Sequence, residues 1–170
     1  MPDTLDVYLE AHPLALPPHS LEAEEALLGS VLLWASVPND PEGNEQSGIP
    51  ELFEWLLPQA FYRDRHRFIY EAMLRLHRRG DRPHQVALTY ELRYGDKPGL
   101  IEACGGPGYL SSLIADCPTS LYAASYADII QTAYERRLKM AQANASKAQR
   151  RAARIEETKP MKPKTNLPSL

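Results

Sequence analysis

The apolar positions of the segment Phe61–Gly80, FYRDRHRFIYEAMLRLHRRG, follow the period of an α-helix more closely than those of any other stretch. From about His66 onward, apolar side chains recur three or four residues apart, at Phe68, Ile69, Ala72, Met73 and Leu76. This spacing places them on one face and predicts a helix packed against a core. Gly80 is suited to the left-handed conformation that commonly ends a helix.

The chain up to about residue 122 is predicted to form further helices joined by turns. Ser20 follows two prolines and precedes three glutamates, the pattern of a helix N-cap, and its helix extends to about Trp34. Shorter helices are expected over about Glu51–Leu57, Gln85–Tyr94 and Tyr109–Ala115. Because no stretch alternates apolar and polar residues over a useful length, we predict an all-α fold built around a small helical globule.

The helix expected over 85–94 is predicted to bury four side chains in the core: Val86, Leu88, Tyr90 and Leu92. His84 stands at its N-cap position.

From about Ala123 the pattern predicts one long, projecting C-terminal helix to roughly Glu157. Most members of its heptad-like apolar seam are alanine: Ile130, Tyr134, Leu138, Ala141, Ala145, Ala148, Ala152 and Ile155. A lone helix with so thin a stripe is stabilised little by itself. We therefore expect the seam to dock against another helix, in a homo-oligomer or a complex.

Composition and breaker residues divide the chain into four parts. The polar loop 35–50, with three prolines and two glycines, interrupts the second of them. The parts are a flexible lead-in (1–19), a helical globular domain (20–122), a long basic helix (123–157) and a disordered tail (158–170).

The net charge of −3 hides an asymmetry between the two ends of the chain. Residues 1–134 carry a net charge of −10, and residues 135–170 carry +7. The basic end includes four cations within two turns of the long helix, Lys147, Arg150, Arg151 and Arg154. Clustered cations on a helix suit phosphate contact, but no aromatic residue follows Tyr134 to stack on bases. Sequence-independent DNA binding and a protein partner both remain open for this segment.

Catalytic motifs are missing from the sequence. The glycines near residue 105 are not followed by the Lys-Ser/Thr of a phosphate loop, and the histidines have no metal-ligand spacing. We therefore predict no catalytic residues, no cofactor and no metal. Cys104 and Cys117 are interpreted as buried thiols of a cytoplasmic protein. No apolar run is long enough to span a membrane, so no membrane association is expected.

Polar residues on the helices are given ordinary structural roles rather than roles in a functional site. Glu22, Glu24 and Glu25 are first-turn acids that suit a helix N-terminus, and His66 and His77 are surface or cap histidines. The arginines of the helix predicted within Phe61–Gly80, and those that flank it, are interpreted as a solvated, salt-bridged face.

Several segments together resemble the N-terminal domain of DnaB-type replicative DNA helicases. Residues 17–33 read PPHSLEAEEALLGSVLL, where that family has P-x-S-x-EAE-x-x-LG. Residues 61–81 resemble its motif FY-x-x-x-H-x-x-I/L, and the helix VALTYELRYG is similar to its next helix. Residues 105–137 resemble its motif GG-x-x-YL, followed by P-S/T and YA-x-I. The resemblance runs in order over roughly residues 17–140.

The resemblance implies a helical globule followed by a helical hairpin, which pairs domains into a collar above a RecA-type motor ring. In that family the collar contacts primase, and the motor hydrolyses ATP. This chain departs from the family by an insertion within 35–50, by His84 where the family often has an aspartate cap, and by a proline-containing end where the returning hairpin helix is expected. The long helix is accordingly expected to be half or part of a hairpin.

Three functions are consistent with these observations. The first is a non-enzymatic interaction module of DNA replication in the primosome, which binds a primase, a helicase subunit or a loader. The second is a DNA-binding protein that acts through the basic helix without sequence preference. The third is a truncated or split replicative helicase whose motor lies on another polypeptide.

Overall fold

The computed structural model of the protein describes residues 16–37 and 48–157, with side chains up to residue 155. Seven α-helices form within these residues: α1 (Leu21–Ser36), α2 (Ile49–Trp55), α3 (Asp64–Arg78), α4 (Gln85–Tyr94), α5 (Leu100–Ala103), α6 (Gly106–Ala115) and α7 (Ala123–Glu157). A 3₁₀ turn over Pro58–Ala60 precedes α3. The described part of the chain contains no strand, which confirms the predicted all-α fold.

The predicted lead-in, loop and tail lie largely outside the described residues. Residues 1–15, 38–47 and 158–170 belong to these three segments. The structure separates after Arg136 into a first unit, which holds α1 to α6 and the start of α7, and a second unit, which holds the rest of α7.

The core of the first unit is built around α1 and α3. Helix α1 contributes four fully buried side chains to it: Leu27, Leu28, Val31 and Leu32. Helix α1 packs against both α6 and α3, and α4 packs on α3. The helix with the clearest apolar period is thus a central element of the globule, as predicted.

The helix ends follow the capping residues of the sequence. The Ser20 hydroxyl accepts a hydrogen bond from the Ala23 N–H at 3.2 Å, and Gly80, two residues after the last residue of α3, adopts φ 83°. The imidazole Nδ1 of His84 accepts from the Ala87 N–H at 3.4 Å, a long hydrogen bond. The histidine therefore caps α4, but through a longer bond than the serine at α1.

The burial predicted for α4 is wrong at two of its four positions. Leu88 and Leu92 are fully buried, whereas Val86 is 75% exposed and Tyr90 is 66% exposed. Residues four apart share a helix face, and the face of Val86 and Tyr90 is turned away from α3. The pattern misassigned them because ten residues with apolar groups on two sides do not indicate which side meets the core.

Both cysteines are buried and free, as predicted. Burial raises the pKa of the Cys104 thiol to about 11, although the nearby Arg65 acts in the opposite direction. The thiol is therefore protonated at neutral pH and poorly suited to act as a nucleophile.

Candidate interaction surfaces

A buried hydrogen-bond network joins α1, α3 and α6 in the first unit. The carboxylate of Glu24 lies 2.7 Å from Nδ1 of His66, and His66 Nε2 lies 2.7 Å from the hydroxyl of Tyr109. The Tyr109 hydroxyl donates to Oε1 of Glu25 at 3.1 Å. Glu24 and His66 are almost wholly buried, at 1% and 0% exposure. The network thus ties together three helices that are far apart in the sequence.

Glu24 also fixes the chain segment that leads into α3. Its carboxylate accepts hydrogen bonds from the backbone N–H groups of Tyr62 at 2.5 Å and Arg63 at 3.4 Å. At the other end of the network, burial and the adjacent Glu25 carboxylate raise the pKa of Tyr109 to about 12. Tyr109 therefore remains a hydrogen-bond donor at neutral pH, and the network serves the packing of the helices.

The interpretation of His66 as a surface or cap histidine is wrong, and Glu24, which lies in the first turn of α1 as predicted, is buried with it. Each is buried because the other satisfies its hydrogen-bonding capacity, and the two are 42 positions apart in the sequence. His77 is half-buried and stacks on Phe53, with ring centroids 4.4 Å apart. The signal that could have found the network is that its members lie within the three quoted motif segments.

A second ionic cluster connects α3 and α4. The buried Glu91 accepts from Nε of Arg75 and from Nη2 of Arg79, both at 2.8 Å. Burial alone would raise the pKa of Glu91, but hydrogen bonds and charge from the two guanidinium groups outweigh it and lower that pKa. The predicted solvated face is therefore only partly solvated, since two of its arginines stabilise a buried carboxylate.

The predicted seam is partly inside the core of the first unit. Ile130 is 2% exposed, and Tyr134 is half-buried against the core cluster. In the second unit, Leu138 is 44% exposed, Ile155 is 63% exposed, and the alanines between them are exposed: Ala141, Ala145, Ala148 and Ala152. The structure thus assigns the beginning of the seam to the fold and leaves the remainder open to solvent.

The predicted cations occupy a different side of α7 from the exposed seam. Lys147, Arg150, Arg151 and Arg154 are all exposed and follow the i, i+3, i+4, i+7 spacing of one helix face. At about 100° per residue, this face is centred roughly 140° from the alanine seam. A single helix therefore presents an apolar stripe and a basic stripe that two different ligands could contact.

Neither a metal-binding group nor a membrane-spanning helix is found in the described residues. No group of three or more metal-ligating side chains is found among residues 16–37 and 48–155. Within the same part of the chain, no helix is long and apolar enough to cross a membrane.

Comparisons with known proteins agree on one family. Residues 16–132 match the model of the DnaB-like helicase N terminal domain. The chain is 37% identical over 116 residues to the replicative DNA helicase DnaB of Geobacillus stearothermophilus, covering 68% of this chain and 22% of that protein. It is 36% identical over 116 residues to the replicative DNA helicase DnaC of Bacillus subtilis (strain 168), covering 68% and 22%. The chain thus spans about a fifth of the length of these relatives.

A solved structure supports the same assignment. The crystal structure of the N-terminal domain of DnaB helicase from Mycobacterium tuberculosis is similar, with a TM-score of 0.67 and 33% sequence identity. The similarity covers 83% of this chain and 90% of that one. The motif segments meet in the Glu24–His66–Tyr109 network, the fold is that of the solved domain, and the family model covers more than half of the chain. The chain therefore belongs to the family of DnaB-like helicase N-terminal domains.

Proposed function

We propose that this chain is a non-enzymatic interaction module of DNA replication, which acts in the cytoplasm and binds a replication protein through α7. The observation that carries the proposal is the exposed stripe from Leu138 to Ile155, on a domain whose relatives are named replicative DNA helicases. An alanine stripe permits close approach of a second helix, and its apolar ends supply area to bury. A primase, a helicase subunit or a helicase loader is the expected partner.

The same stripe is expected to mediate self-association. A second copy of the chain presents an identical stripe, and a two-fold pairing of such surfaces is the commonest way in which homo-oligomers form. The comparisons cover the N-terminal domain of the relatives, and we expect the purified chain to hydrolyse no ATP. A motor on a separate polypeptide would make the chain one part of a split helicase.

The seam can be tested by placing charge on it. The double substitution Ala145→Glu and Ala152→Glu introduces two carboxylates into the proposed helix contact, where burying them is costly. We expect light scattering to show a dimer or larger for the natural chain and a monomer for the variant. Complexes with purified primase, helicase or loader should be lost as well.

A matched control for this experiment is Ala143→Glu, which adds the same side chain to the same helix outside the seam. This variant should have the same molecular mass as the natural chain in light scattering, both alone and in complex with its partner. A natural chain that is monomeric at high concentration and forms no complex with any of the three proteins at low salt would refute the proposal.

The basic stripe of α7 supports a second function, DNA binding without sequence preference. Its four cations are exposed on one face, and each phosphate contact releases counterions, so that affinity falls steeply as salt rises. We expect the double reversal Arg150→Glu and Arg151→Glu to reduce affinity for a random-sequence duplex by at least tenfold in a fluorescence anisotropy titration at low salt.

The control is the same double reversal in the first unit, at the exposed Arg78 and Arg93. This variant should bind the duplex as tightly as the natural chain, because residues 1–134 carry a net charge of −10 and are not expected to contact DNA. Equal losses in the two double variants, or affinity independent of salt, would show that the stripe is not a DNA-binding surface.

A further inference from the structure

A groove of about 380 Å³ lies on the first unit, between the residues that lead into α1 and the early turns of α7. Pro18, His19 and Ser20 form one wall, and the part of α7 from Asp128 to Arg136 forms the other. This volume is in the range of clefts that hold a small ligand or a few side chains of a peptide.

Both walls of the groove are fixed by contacts of their own. The His19 ring stacks on the Tyr62 ring, with centroids 4.1 Å apart, and its Nδ1 donates to the backbone carbonyl of Pro17 at 2.6 Å. On the side of α7 that faces the core, Ala127 and Ile130 are buried. The groove is therefore formed by parts of the chain that the fold holds in place.

Helix α7 contributes apolar side chains to the groove. Ile129 is 47% exposed, and Ala133, one turn later on the same face, is half-buried. Their remaining apolar surface can be covered by a further apolar side chain, which would be stabilised by leaving water. An occupant of this groove is therefore apolar where it meets Ile129 and Ala133.

Two opposite charges lie at the ends of the α7 wall. Asp128 and Arg136 are both exposed, about 12 Å apart along the helix, and neither is in a salt bridge within the described residues. An acidic side chain is therefore favoured at the end of the groove near Arg136 and disfavoured at the end near Asp128.

The chain itself supplies a segment with these properties. Residues 1–15, which lie outside the described residues, read MPDTLDVYLEAHPLA and are joined to the wall at Pro18 through Leu16 and Pro17. Their large apolar side chains are Leu5, Val7, Tyr8, Leu9 and Leu14, and their charged side chains are all acidic: Asp3, Asp6 and Glu10. The first unit is itself acidic, so apolar contact has to supply most of the binding.

The short tether favours this segment over a free partner. Leu14 is four positions before Pro18 and can lie up to about 14 Å from it, and Leu9 can lie up to about 30 Å from it. Both reach the length of the α7 wall. A short tether gives an effective concentration on the order of 1 mM, so an intrinsic dissociation constant of about 1 mM is enough to occupy the groove half of the time.

We propose that residues 1–15 bind in this groove of the same chain, with leucine side chains against Ile129 and Ala133 and an acidic side chain beside Arg136. A protein that contacts this face of the first unit must then displace them. The groove lies in the first unit and is independent of the stripe from Leu138 to Ile155.

Methyl NMR of the full chain, labelled at its isoleucines, tests the proposal. In the triple variant Leu5→Ser, Leu9→Ser and Leu14→Ser, we expect the Ile129 methyl signal to move, because its apolar cover is lost. The signal of Ile155, which lies in the second unit, should stay in place. The matched control is Thr4→Ala with His12→Ala, which changes the same segment but keeps its large apolar side chains and should leave the Ile129 signal where it is.

A synthetic peptide of residues 1–15 provides the second measurement. Added to the triple variant at about 10 mM, tenfold above the expected dissociation constant, it should return the Ile129 signal to its position in the natural chain. The same peptide with its three leucines replaced by serine should not. The proposal is overturned if the triple variant and the natural chain share one Ile129 signal, if the control variant moves that signal equally, or if the peptide fails to restore it. A change of the Ile129 signal on dilution of the natural chain would also overturn it, since the segment would then come from a second copy.

Discussion

Replacing Glu24 by alanine is expected to lower the free energy of unfolding of the first unit by about 4 kcal/mol. The variant would leave two backbone N–H groups, those of Tyr62 and Arg63, without their acceptor, together with one side of the fully buried His66 ring. The loss of its partner by the fully buried His66 costs about 1–3 kcal/mol, and the two part-buried N–H groups and the cavity left by the carboxylate add to the loss. Thermal unfolding followed by circular dichroism should show a midpoint lowered by roughly 10 °C or more.

Glu22→Ala is the matched control for this prediction. Glu22 lies in the same first turn of α1 but is exposed, and within the described residues its carboxylate accepts a hydrogen bond from the Ser20 hydroxyl alone, at 3.3 Å. We expect a change within about 0.5 kcal/mol, as is usual for surface substitutions. Similar losses for the two variants would mean that the acidic first turn, and not the buried network, is what stabilises this end of α1.

The different burial of Glu24 and Glu22 could not be predicted from a local sequence pattern. Both are glutamates at the start of one helix, and apolar periodicity treats them alike. Their difference arises from His66 and Tyr109, which lie on other helices and approach Glu24 and Glu25 only in the folded chain. A pairing over such a sequence distance is fixed by tertiary packing, which no local pattern contains.

Features set by neighbouring residues were predictable in detail. Helix α4 begins at Gln85 and ends at Tyr94, as predicted, because the residues that set its two ends, His84 and Gly95, are its immediate neighbours in the sequence. The same helix shows what stays undetermined, since the exposure of Val86 and Tyr90 depends on which side faces α3. The same distinction holds for the seam of α7. The spacing of its apolar residues is visible in the sequence, whereas Ile130 is buried only because the first unit packs against it.

The interface between α1 and α6 depends on a close approach that only glycine permits. A Cβ atom added at Gly29 would overlap the backbone carbonyl oxygen of Leu113 and lie 2.8 Å from the Cβ of Cys117. A backbone carbonyl cannot move aside by changing rotamer, so the two helices would have to separate. Gly29 is buried in the middle of α1, where its poor helix propensity is offset by the packing that it allows.

Gly29→Ala is therefore expected to destabilise the first unit by about 3 kcal/mol, even though alanine is the better helix former by about 1 kcal/mol. The matched control is Gly108→Ala in α6, where an added Cβ meets no atom within 4 Å and the backbone is free of positive φ. That variant should be neutral or more stable by up to about 1 kcal/mol, because it lowers the entropy of the unfolded chain. Urea unfolding measures both changes. A Gly29→Ala chain as stable as the Gly108→Ala chain would show that α1 and α6 can separate at little cost.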